Sequence, residues 1–122
     1  MNKGLIWTGR VLSTLVVLPM LMGIVMSFSG KPEVAEGMVK MGFPAALLKT
    51  IVTLEILSVL LYAIPATSVV GAILLTGYMG GAICTHLRLG EPVILQTALP
   101  IIAWLGLWLR EPRLKALLPL RR

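Results

Sequence analysis

VLSTLVVLPMLMGIVMSF, residues 11–28, runs for eighteen positions without a charge. The hydrocarbon core of a bilayer is about 30 Å thick and takes about 20 apolar residues as a helix. Extended back through Arg10 to Ile6, this stretch therefore reads as a membrane span. Working outward, three more runs of that kind follow. The second starts after Gly42-Phe43-Pro44, where a proline suits a first helical turn, and reaches Ile64 ahead of Pro65. The third runs from Thr67 to Leu87, and the fourth from Val93 to Leu109, with Pro100 inside it expected to kink the helix rather than end it. Spans over residues 6–28, 45–64, 67–87 and 93–109 leave little of the 122 residues over. The expectation is one all-α membrane domain over residues 1–122, a four-transmembrane-helix bundle.

Composition points the same way. The chain is 57% hydrophobic and 13% charged, whereas a soluble domain of this size carries about a quarter charged residues to coat its surface. Asp is absent, and Cys84 as the one cysteine excludes an intramolecular disulfide, a CxxC pair and a cysteine metal cluster. A net charge of +6 would suggest nucleic acid in a soluble protein. Here the basic residues stand at the ends of apolar runs, so they report orientation in a lipid bilayer and no nucleic-acid partner.

An even number of spans puts both termini and the Pro65 turn on one side. That side holds Lys3, Arg10, Arg110, Arg113, Lys115, Arg121 and Arg122, against Lys31, Lys40, Lys49 and Arg88 on the other. Both termini are therefore expected in the cytoplasm, N-in and C-in. The connection from Ser29 to Phe43 then lies outside. Its Pro32-Glu33 start and the spacing of Val34, Met38 and Met41 fit a short amphipathic helix resting on the outer membrane surface, with an irregular loop as the alternative. The first span has a second reading as a secretory signal, from Lys3, Arg10 and Ser27-Phe28-Ser29.

Glu55 is the most informative residue. It stands about 10 residues into the second span, about 15 Å deep at about 1.5 Å per residue, near the bilayer midplane. A lone carboxylate there costs a few kcal/mol, so it is expected to face the bundle, find a donor and hold its proton. Ser58 and Tyr62 follow on its face, and Tyr78 reaches the same level from the third span. The pair either locks two helices or serves a ligand or a proton. In the third span Gly77 and Gly81 form a GxxxG step beside Gly80, which predicts close helix packing, the alternative being room for a flat ligand beside Tyr78. Thr85, His86 and Arg88 end that span, with Gln96 about one turn into the fourth and Lys49 about one turn into the second. Lys49 and Arg88 are read as snorkelling to lipid phosphates, the sharper alternative being an anionic or carbonyl-bearing ligand bound by His86 and Arg88. A single histidine excludes bis-histidine haem within one chain, and no metal set is apparent. Trp7, Trp104 and Trp108 read as interface anchors, and the seven methionines as adaptable packing.

GAILLTGYMGGAICTHLRLG, residues 71–90, resembles the third-helix signature of the DoxX-like membrane proteins: a Gly-Ala-Ile start, a Gly-Tyr-x-Gly-Gly-Ala core and a Thr-His-x-Arg-x-Gly end. Met41-Gly42-Phe43-Pro44, Leu54-Glu55-Ile56-Leu57 and Pro65 are similar to further stretches of that family. The resemblance implies a four-helix bundle in a bacterial cytoplasmic membrane. The broader group includes subunits linked to thiosulfate:quinone oxidoreduction and to membrane oxidoreductase complexes, while other four-helix relatives look like assembly chaperones. Glu55, Gly77, Tyr78, Gly80, Gly81, Thr85, His86 and Arg88 match its recurring pattern.

Three functions are weighed on this basis. The leading one is an accessory subunit binding a quinone-like amphiphile beside an oxidoreductase partner, with Glu55, Tyr78, Thr85, His86, Arg88 and Gln96 as ligand-binding residues and no covalently bound cofactor. The others are a structural or assembly subunit without its own ligand, and a small oligomeric transporter with Glu55 as the proton-coupled site. No self-sufficient catalytic set stands in the sequence, so any enzyme would be a complex containing this chain, as a membrane partner's subunit or a homo-oligomer.

Overall fold

The computed structural model describes residues 2–121; Arg122, one of the flanking basic residues counted above, lies outside them. The described chain is helical, without strands: α1 (Lys3–Ser27), α2 (Pro32–Lys40), α3 (Leu48–Ala63), α4 (Ser68–Arg88), α5 (Ile94–Arg110) and the single turn α6 (Pro112–Lys115). Short 3-10 turns, Ala45–Leu47 and Pro65–Thr67, lead into α3 and α4. With these turns included, three helices are long and apolar enough to cross a membrane: Lys3–Ser27, Ala45–Ala63 and Pro65–Arg88. The fourth, Ile94–Arg110, is apolar but only 17 residues long, and it continues through Pro100. Each expected span begins and ends within about three residues of an observed helix, a mismatch of the size that fraying helix ends produce. Between Ser29 and Phe43, the helical alternative is the one observed.

Sequence decides the packing by side-chain size along each stripe. Val16, Met20 and Ile24 on α1, Val52, Val59 and Tyr62 on α3, Ala72, Leu75 and Met79 on α4, and Leu99, Ala103 and Leu107 on α5 are buried at three-, four- or seven-residue spacing. The opposite faces are equally apolar, and Leu15, Leu18, Met22 and Val25 of α1 are all more than half exposed. Helices that are apolar all round suit lipid, where backbone groups must be paired internally and apolar side chains need no shielding. Four long helices close a ring in which α1 packs on α3 and α5, and α4 on the same two.

Close approach rests on glycines other than those expected. A Cβ on Gly71 would lie 2.0 Å from the Tyr62 backbone nitrogen, and one on Gly9 would lie 2.5 Å from the Gly106 carbonyl oxygen. These glycines bring α4 against α3 and α1 against α5. Gly77, Gly80 and Gly81 have nothing within 4 Å of the corresponding position, so their expected role in packing helices is not played within this chain. The reason is rotational: the GxxxG face of α4 is turned away from its neighbours, while Gly71, Leu75 and Met79 carry the contact face.

The α3–α4 turn pairs its own backbone. Ser68 Oγ donates to the carbonyls of Tyr62 and Ile64, both at 2.9 Å, and Thr67 Oγ1 to Leu61 at 2.8 Å, pairing carbonyls that the end of α3 leaves open. Across the bundle, Arg110 Nε donates to Ser13 Oγ at 3.3 Å, Ser13 is paired with Tyr62 Oη at 2.8 Å, and Tyr62 donates to the Ala103 carbonyl at 2.6 Å. This chain links α1, α3 and α5. Trp104, expected as an interface anchor, donates its ring N–H to Thr76 Oγ1 at 2.7 Å and ties α5 to α4.

Candidate functional site

Two helix ends build the roof of a cavity at the α2 end of the bundle. At the end of α2 the Phe43 N–H bonds the Met38 carbonyl at 3.0 Å and the Gly42 N–H bonds Val39 at 2.9 Å, with Gly42 at φ +88°. At the end of α4 the Glu91 N–H bonds His86 and the Gly90 N–H bonds Leu87, both at 3.0 Å, with Gly90 at φ +73°. Both are Schellman motifs, in which a glycine in the left-handed region folds the chain back over its own last turn. The first fold brings Phe43 beside Met38. The second sets Glu91 against His86.

Under this roof lies a cavity of about 400 Å³. One wall is a single face of α4: Gly77 and Tyr78, then Gly81 and Ala82, then Thr85 and His86, repeating every four residues. Ile51 and Leu54 of α3 form the second wall, and Met38, Met41 and Phe43 close the top. The glycines' missing side chains supply much of the space beside the Tyr78 ring. Met38 is 4% exposed, so its place is inside this cavity and not on an outer membrane surface.

Polar groups sit at two depths. Deep in the bundle the Tyr78 hydroxyl donates to Glu55 Oε2 at 3.3 Å, the meeting expected from equal depth on neighbouring helices. Glu55 Oε1 faces Gly23 of α1, where a Cβ would lie 3.7 Å away. Glu55 therefore stands behind Tyr78 rather than in the cavity wall. At the mouth, His86 Nδ1 pairs with Glu91 Oε2 at 2.9 Å, and Lys40 Nζ stands 3.7 Å from Glu91 Oε1. The His86 hydrogen bond, aided by Lys40, holds the Glu91 carboxyl below the usual carboxylate range. A carboxylate only accepts, so Nδ1 carries the proton and a neutral His86 ring presents Nε2 as an acceptor. Thr85 Oγ1 donates to the Gly81 carbonyl at 2.8 Å and keeps its lone pairs for a ligand.

Besides Glu55, two expected ligand contacts, Arg88 and Gln96, are placed otherwise. Arg88 donates to the Met41 carbonyl and lies against Gly42, so it props the roof instead of facing the cavity. Gln96 is half-buried on α5, outside the cavity wall, with its side-chain Oε1 buried and unpaired among the described residues. Lys49 is exposed and lines no part of the wall. The third wall comes from α2 and the segment after it, not from α5. Glu91 was not anticipated, because only the Gly90 fold brings it to His86; a glycine followed by Glu-Pro at the end of a helix was the available signal. Among the described residues no three His, Cys, Asp or Glu side chains group to hold a metal ion.

Fold and cavity together define a small, all-helical integral membrane protein with a largely apolar chamber near one end of its helices. The chain belongs to the DoxX-like family, whose sequence profile matches residues 11–109. No curated protein and no solved structure matches it.

Proposed function

We propose that this chain is a four-span, N-in/C-in membrane protein that binds an amphiphile with a flat polar head, a quinone or its quinol, and serves as an accessory subunit beside an oxidoreductase. The observation that carries the reading is the cavity: apolar walls for a tail or ring, and a few convergent polar groups to fix a head, the usual layout of a small-molecule site. Its α2 end would lie in the outer half of the bilayer, on the side poorer in Lys and Arg. At about 1.5 Å per residue α5 is about 26 Å long, at the short end of what spans a bilayer.

The proton on His86 selects between the redox forms. A neutral His86 accepts through Nε2, and Tyr78 spends its hydrogen on Glu55, so both offer lone pairs to a hydroxyl. With His86 neutral a quinol's two O–H donors match these acceptors, and with His86 protonated a quinone carbonyl accepts from Nε2. Turnover calls for a redox partner, since this chain supplies head recognition and no electron carrier. The reading of a structural or assembly subunit is favoured by one observation: Arg88 and His86 both spend polar groups holding the roof.

The test is saturable binding of a short-tail quinone and its quinol to detergent-purified protein. Gly81→Leu places a side chain in the cavity where nothing stands within 4 Å, so it should abolish binding while the protein still folds. His86→Ala should weaken binding of the head group. Equal affinity in wild type and Gly81→Leu, or no saturable binding, gives the case to the structural subunit.

A further inference from the structure

At the opposite end of the bundle, where both termini lie, a second cavity of about 440 Å³ opens between α1, α3 and α5. Its α1 wall is one helical face: Arg10, Ser13, Thr14, Val17 and Leu18. Read toward the membrane interior, that face passes from a cation through hydroxyls to apolar side chains. Arg110 enters from α5, and Tyr62 from α3.

The two guanidinium groups are held by contacts other than an ion pair of their own, although Arg110 also feels the Glu111 carboxylate. Arg10 lies over the Trp7 ring at 5.0 Å, and Arg110 lies over the Tyr62 ring at 5.7 Å while its Nε bonds Ser13. Glu111 is the one acidic side chain described at this end, and Arg113 occupies both of its oxygens. The terminal N–H groups of Arg10 and Arg110 therefore have no acceptor among the described residues. Ser13, Thr14 and Tyr62 spend their hydroxyl hydrogens within the protein. The charged rim suits an anion, and the Val17 and Leu18 end suits something apolar attached to it.

We propose that this cavity is a binding site for a net-negative glycerophospholipid, its phosphodiester between Arg10 and Arg110 and an acyl chain along Val17 and Leu18. Guanidinium forks match the paired non-bridging oxygens of a phosphodiester, and guanidinium is weakly enough hydrated to do so at a membrane interface. A zwitterionic headgroup would bring an ammonium into a region where Lys3, Arg10, Arg110 and Arg113 are set against the single carboxylate of Glu111, so the site selects against it. The proposal is independent of the quinone reading, which concerns the other end of the molecule.

Full-length protein, delipidated in detergent, would be titrated with phosphatidylglycerol, phosphatidylcholine or inorganic phosphate and read by native mass spectrometry for retained ligand. Phosphatidylglycerol is expected to bind at least tenfold more tightly than phosphatidylcholine. Arg10→Gln, which removes a side chain resting only on the Trp7 ring, should erase most of that preference. Arg110→Gln should do the same, and if it misfolds through loss of the Ser13 contact, Arg10→Gln alone decides. Lys31→Gln at the other end should leave the preference intact. Equal affinity for the two lipids, an undiminished preference in Arg10→Gln, or displacement of the lipid by millimolar inorganic phosphate would each overturn the assignment.

Discussion

Tyr62 is fully buried, and its hydroxyl serves two partners on two other helices. Removing that oxygen leaves Ser13 and the Ala103 carbonyl without it in a dry interior, so Tyr62→Phe should destabilise by about 1–3 kcal/mol in reversible unfolding. Glu55 is a different case, because its contact with Tyr78 needs only an acceptor. Glu55→Gln keeps one and should unfold close to wild type, whereas Glu55→Ala strands the Tyr78 hydroxyl and should cost about 1–3 kcal/mol. A Glu55→Gln variant as damaged as Glu55→Ala would show that the carboxyl group itself is required. The depth of Glu55 and Tyr78 was readable from residue counting, since both lie on helices of known rise. Tyr62's partners were not, because they depend on which way three helices face.

At the scale of elements, glycines separate into those that hold helices together and those that leave space. Gly71→Ala would drive a methyl group to within 2.0 Å of the Tyr62 nitrogen, where backbone cannot yield, and should disrupt the α3–α4 hairpin. Gly80→Ala meets nothing and should be neutral or gain up to about 1 kcal/mol from helix propensity. Thermal melts of the two variants side by side test the contrast. The roof over the cavity depends on the Lys40–Glu91–His86 contacts, and Glu91's carboxyl is lowered on folding. Their contribution is therefore complete above the unfolded carboxyl's ordinary value and is lost as pH falls through the lower folded one. Spin labels at Val39→Cys and Leu89→Cys, in a Cys84→Ala background, should report one narrow distance at pH 7 that broadens in acid. Glu91→Gln should be broad at both.

For the whole molecule, the basic residues of the two ends set the expected orientation. Single cysteines replacing Lys31 and Arg113, in a Cys84→Ala background, should react with an impermeant thiol reagent on intact cells at Lys31 and not at Arg113; the reverse pattern would invert the molecule. The family, the helical character and the approximate limits of the long apolar helices were all determined by sequence alone, because bilayer thickness and backbone pairing leave an apolar run few options. Residues 71–90 likewise carried the family likeness without any geometry. What only the tertiary structure decided is rotation and reach. In a helix apolar on every side, hydropathy does not mark the inner face, so it could not say that Gly71 packs while Gly77 and Gly81 border a cavity. Nor could spacing show that glycines at positive φ would fold Phe43 onto Met38 and Glu91 onto His86, or that Arg88 would prop the roof, since those contacts join segments whose approach is set by the packed bundle.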